Sequence, residues 1–180
     1  FVGSYKDVNF EIGEGCRYLN IQKDADDMYN PLSTPSSGRI SITLRMNKKA
    51  KCSGFITTKN LFANAVVPQI GLRLTKLEDV DFGSKYDVFT NDEIELRYIV
   101  TPSFMESLSN IKTVFKTGPL ECFFCDNFLR LDLASNKDLF SICSLSKPLD
   151  DINQFYMMYE EIISIMKFID SFNFDRKLGL

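Results

Sequence analysis

A chain of 180 residues, 44% hydrophobic and 25% charged, has the make-up of a single globular domain and excludes a disordered or collagen-like polymer. Its formal net charge of −3 gives no overall reason to expect nucleic acid as a partner. The absence of His removes the usual general base near neutral pH and the commonest metal ligand, so Ser–His–Asp, Cys–His and His-ligated metal chemistry are all excluded.

The chain begins at Phe1 and not at Met, so it is expected to be a trimmed piece of a longer protein. It shows no signal peptide and no run of about 18 apolar residues. Val8-Asn9-Phe10-Glu11-Ile12 alternates with period two and predicts a strand, and Tyr18-Leu19-Asn20-Ile21 predicts another. From about 24 to 38 the chain turns polar and gathers Pro31, Ser33, Pro35, Ser36, Ser37 and Gly38, the composition of a mobile surface loop. Ile40, Ile42, Leu44 and Met46 mark one face of a clean amphipathic strand. Asn47 to Lys51 reads as a basic turn after it, with Gly54-Phe55-Ile56-Thr57-Thr58 as the hairpin partner. Short strands are expected at Val66-Val67-Pro68, Leu72-Arg73-Leu74 and Tyr86-Asp87-Val88-Phe89. Glu93 to Val100 fits either a strand or the first turns of a helix.

Thr101-Pro102 has the chemistry of a helix start: the hydroxyl accepts an orphan N–H, and Pro in the first turn loses no hydrogen bond. Phe104, Leu108, Ile111 and Phe115 then form one helical stripe, ended by Gly118-Pro119. Leu120–Cys125 and Phe128–Leu133 flank Asp126-Asn127, a two-residue hairpin turn. A last helix is capped by Asp150 or Asp151, with an apolar stripe of Ile152, Phe155, Tyr159, Ile162, Met166 and Ile169, widened by Met157, Met158 and Ile165. That density reads as core packing on more than one side of the helix. Strands dominate and helices come late, which gives a single α+β domain over residues 1–180. An antiparallel sheet of about six to eight strands carries two main helices, the long C-terminal one packed across it.

Five cysteines (Cys16, Cys52, Cys122, Cys125, Cys143) are too few and odd in number for a secreted disulfide framework, and free thiols in a reducing compartment are expected. Cys122 and Cys125 have CxxC spacing, but on a strand positions i and i+3 point to opposite faces, and no second pair completes a zinc site. Gly13-Glu14-Gly15 lacks the third glycine and following helix of a phosphate loop, so no cofactor is implied.

The run Leu74-Thr75-Lys76-Leu77-Glu78-Asp79, then Phe82, Tyr86, Val88 and Asp92, then Arg97-Tyr98-Ile99-Val100-Thr101-Pro102 and Met105, resembles the bacterial family called domain of unknown function 3137. The resemblance covers about residues 54–172. Leu96 and Tyr86 depart from the pattern, which has a small residue and a Phe there. The resemblance implies a structural motif built on Lys76, Leu77, Glu78, Asp79, Phe82, Arg97, Tyr98, Thr101 and Pro102. It also implies a setting on the cytoplasmic side of a bacterial membrane, with the anchor outside this fragment, and it supplies no reaction.

Charge is unevenly spread. Arg39, Arg45, Lys48, Lys49, Lys51, Lys59 and Arg73 follow one another with no acid between them, and an acid-rich stretch runs from Glu78 to Glu95. Mutual neutralisation within the fold is the plainest explanation. Lys48, Lys49 and Lys51 on one exposed turn would otherwise meet anionic lipid headgroups, each worth about 1 kcal/mol; nucleic-acid binding is the least favoured. The acids Glu78, Asp79 and Asp81 have the composition of a solvated turn and lack a calcium-loop ladder. Arg97, with Leu96, Tyr98, Ile99 and Val100 around it, is expected to be partly buried and paired with Glu78 or Asp79, so that Arg97→Ala would cost about 3 kcal/mol or more. The leading expectation is a non-catalytic interaction module with a protein partner or a second copy. The alternative is a ligand-binding or hydrolytic domain using the acidic turn with Arg97 and Tyr98.

Overall fold

Alternating apolar and polar residues make strands, and strands need partners for their backbone N–H and C=O groups. The structure, a computed structural model, describes residues 1–15, 39–46, 49–59, 67, 71–135 and 152–171. In chain order the strands are β1 (Val2–Tyr5), β2 (Val8–Gly15), β3 (Arg39–Arg45), β4 (Gly54–Thr58), β5 (Arg73–Thr75), β6 (Tyr86–Thr90), β7 (Leu120–Cys125) and β8 (Phe128–Ala134). The helices are α1 (Val80–Lys85), α2 (Glu93–Ile99), α3 (Pro102–Val114) and α4 (Ile152–Ser171). The strands form one eight-stranded sheet, order β1-β2-β3-β8-β7-β4-β6-β5, with every pairing antiparallel. The α+β class holds, with four helices among the described residues where two main ones were expected.

The expected β3–β4 hairpin does not form. The β7–β8 hairpin lies between those strands: β8 pairs with β3, and β7 with β4. The connection from β3 to β4 passes over the tip of that hairpin, where Met46 N–H donates to the Asn127 carbonyl at 2.8 Å and Ala50 N–H to the Asp126 carbonyl at 2.7 Å. The segment from Glu93 to Ile99 is helix, because Asp92 accepts hydrogen bonds from Ile94 and Glu95 N–H and caps it. At the other edge of the sheet, Lys6 and Asp7 have φ of 47° and 62°, and two successive positive values fit a two-residue turn to the twist of β1 and β2. The loop at 24–38, the strands expected at 18–21 and 66–68 (apart from residue 67) and the cap at 150 or 151 lie outside the described residues.

One face of the sheet carries the main core. The register aligns Ile12, Ile42, Leu131, Cys122, Ile56 and Val88 in a row across six strands. Every member of that row is nearly or fully buried. The stripe of α3 (Phe104, Leu108, Ile111, Phe115) closes this face together with Ile165, Phe168 and Ile169 of α4. The rings of Phe104 and Phe168 sit 5.3 Å apart, tying the two helices. Each such fully buried side chain is worth about 1.5–3 kcal/mol of transfer free energy. Gly54 is required where it stands, since a methyl group there would collide with the ring of Phe124 on the neighbouring strand.

The stripe expected to bury α4 is on its other side. Ile165, Phe168 and Ile169 face the core, whereas Ile152, Phe155 and Tyr159 are exposed and Ile162 and Met166 only half-buried. Ile169 alone of the six belongs to the buried side.

Candidate functional site

The motif from Leu74 to Met105 folds into β5, α1, β6, α2 and the start of α3, and most of it has a structural task. Asp79 caps α1, accepting Phe82 N–H at 2.8 Å, so the expected acidic turn is the first turn of a helix. Asp92 caps α2, and Thr101 caps α3 by accepting Phe104 N–H at 3.3 Å, with Pro102 in the first turn. Phe82 is buried against the Tyr86 ring at 4.6 Å, and Leu77 packs half-buried at the edge of the core. The two departures from the family pattern are buried. Leu96 fills the core, and Tyr86 packs its ring against Phe82.

Lys76, Glu78, Arg97 and Tyr98 have no such task, and all four are exposed. Arg97 Nη1 lies 2.8 Å from Glu78 Oε1, with side-chain exposures of 49% and 88%. The partner is Glu78, one of the two expected; the burial is not as expected, because α2 buries Leu96 and its C-cap Val100 and turns Arg97 toward water. An ion pair this exposed is worth about 0–1 kcal/mol. We therefore expect Arg97→Ala to lower the free energy of urea unfolding by less than about 1 kcal/mol, not the 3 kcal/mol of a buried pair. Asp81 is exposed in the first turn of α1.

Ile94 and Tyr98, one turn apart on α2, are 69% and 57% exposed, opposite the buried Leu96 and Val100. Polar ties hold α2 on either side of them. Arg97 reaches Glu78 just before α1, Thr75 Oγ1 lies 3.4 Å from Glu93 Oε1, and Lys51 Nζ lies 3.6 Å from Glu95 Oε1. The result is an exposed apolar surface rimmed by charge.

Part of the basic segment is paired with acids. Lys49 Nζ sits 3.1 Å from Asp126 at the hairpin tip and Lys51 beside Glu95; Lys48 lies outside the described residues. Arg39 Nη1 is 3.9 Å from Glu121 Oε2. Among the described residues no group of three or more Cys, Asp or Glu is placed to hold a metal ion. Cys122 is fully buried in the core, and burial pushes its thiol pKa far up. Cys125 is half-buried on the opposite face of the same strand, its Sγ 3.1 Å from Ser53 Oγ.

The second face of the sheet carries a polar row that the sequence reading overlooked. Register sets Asp132 beside Ser41 and Glu121, and Glu121 beside Thr57, all four buried. Arg130 forks onto Asp132, with Nη2 to Oδ1 at 3.0 Å and Nε in ion-pair contact with Oδ2 at 2.7 Å; the Nε contact lacks a hydrogen-bond angle. Ser41 also donates to Asp132 Oδ1. Glu121 receives less: its Oε2 has no hydrogen-bond partner among the described residues, with Arg39 the nearest cation. Desolvation, opposed by Arg39, raises its pKa to about 7, and Asp132 adds to the rise. The signal was the polar phase of β3, β7 and β8, which alternation alone assigns to solvent.

A model of the family described as "Protein of unknown function (DUF3137)" matches residues 40–174. No curated protein and no solved structure matches the chain.

Proposed function

The chain belongs to the DUF3137 family of proteins of unknown function, and from this premise we propose that the domain is a non-catalytic interaction module that binds a protein through α2. The observation that carries this reading is the outward pair Ile94 and Tyr98 beside the Glu78–Arg97 ion pair. An exposed aliphatic and aromatic pair with Arg at its rim has the composition of a protein-contact surface. The hydrolytic alternative has less support: Asp79 is engaged as a helix cap and Glu78 with Arg97, and both carboxylates are exposed. The setting we propose is the cytoplasmic side of a bacterial membrane, with the anchor outside residues 1–180. It rests on the family resemblance; no described helix is long and apolar enough to cross a membrane.

The test is site-specific photo-crosslinking in cells, with the reactive residue at 94, at 98 or at the exposed control Lys116. One discrete adduct from 94 and 98, missing from 116 and lost with Arg97→Glu, is the expected result. The same pattern at all three positions overturns the reading. Tyr98→Asp should abolish the adduct while changing folding stability by less than about 0.5 kcal/mol, as for other surface substitutions.

A further inference from the structure

Helix α4 is apolar on two opposite sides, and the domain core uses one of them. Phe168, Ile165 and Ile169 face inward. Ile152, Tyr156 and Tyr159 are 79%, 62% and 58% exposed, and the line they start continues through the half-buried Ile163 and Met166. Successive spacings of four, three, four and three residues make a coiled-coil seam, centred roughly 180° from Phe168 at 3.6 residues per turn. From 152 to 159 the helix carries no charged residue at all.

We propose that two copies of this chain associate through that seam, their α4 helices antiparallel about a two-fold axis. The proposal is independent of the α2 surface. Glu160 and Lys167 identify the occupant. Each follows a seam residue directly, so the two lie seven apart on the same edge of the seam. In an antiparallel two-fold pair like edges face each other and run in opposite directions. Glu160 of one copy then meets Lys167 of the other, and the symmetry makes the contact twice. A parallel pair would set the same two charges against Phe155 and Ile162. The edge is thus complementary to itself in one orientation only, which is the property a homodimer surface needs and a surface for an unrelated partner does not.

Sedimentation equilibrium of the 180-residue chain tests the proposal. The unaltered chain is expected to form a dimer, and Tyr159→Asp to be monomeric. Glu160→Lys and Lys167→Glu should each weaken the dimer by about tenfold or more, since each places like charges in both contacts. The double variant E160K/K167E should restore affinity to within about threefold, because the pairs re-form with their signs exchanged. Circular dichroism should show the charge variants folded alike. A chain that stays monomeric up to about 500 μM, single reversals without effect, or a double variant as weak as the singles would each overturn the proposal.

Discussion

Glu121→Gln should stabilise the folded protein by about 3 kcal/mol at pH 8 and leave it unchanged at pH 4. The carboxyl is buried on the second face of the sheet, with one oxygen lacking a hydrogen bond among the described residues and its pKa raised from 4.5 to about 7. Between those two values the folded chain holds a proton that the unfolded chain has released. Folding therefore takes up a proton there, and stability falls as pH rises through the window. Below it, both states are protonated and the group contributes its most. Above it, the folded state carries a poorly compensated buried charge. Gln keeps the shape and removes the titration. Urea unfolding of both proteins at pH 4, 6 and 8 gives the free-energy difference, which should grow from zero along that series. A difference independent of pH would contradict this account.

Asp132→Ala, one strand away, should act in the opposite sense and destabilise by about 3–5 kcal/mol. Asp132 takes both arms of Arg130 and the Ser41 hydroxyl, and its side chain is only 5% exposed. Its removal leaves a guanidinium, 17% exposed, with no carboxylate in its fork. Pairing Asp132→Ala with Arg130→Met should recover about half of the loss, because the stranded charge goes too. If the double variant is no more stable than Asp132→Ala alone, the stranded charge is not the cause.

The two acids show what the sequence could and could not reveal. Strand alternation located β2, β3, β4 and the β7–β8 hairpin, and the Thr101-Pro102 signal located the start of α3 to the residue. Alternation says which residues share a face, however, and not whether that face meets water. The burial of the phase holding Ser41, Glu121 and Asp132 is therefore not legible from alternation. Pairing was illegible for a related reason: β3 and β4 are neighbours in sequence, and only the placement of β7–β8 shows that they are not neighbours in the sheet. β1 was missed because Lys6-Asp7 is an unusual composition for a two-residue turn. That Arg97 pairs with an acid of the 78–79 turn was legible, though not which of the two. The pair's exposure depended on Glu93–Ile99 being helix, which the local apolar density obscured. For α4, the apolar positions were legible, but periodicity could not say which of two apolar sides the core would take.

The strand order also governs how this chain is born. Inside the sheet β3 pairs with β8, and the Ser41–Asp132 contact between them spans 91 residues. During synthesis at about 5–20 residues per second, β3 waits several seconds for its partner, with Ile40, Ile42 and Leu44 uncovered. The loop that must close is long and its closure entropy comes before most of the packing, so folding should be slow for a domain of this size. A nascent chain stalled before residue 128 would have the β1–β2–β3 meander and an open sticky edge, and that interval is when it would depend most on a chaperone.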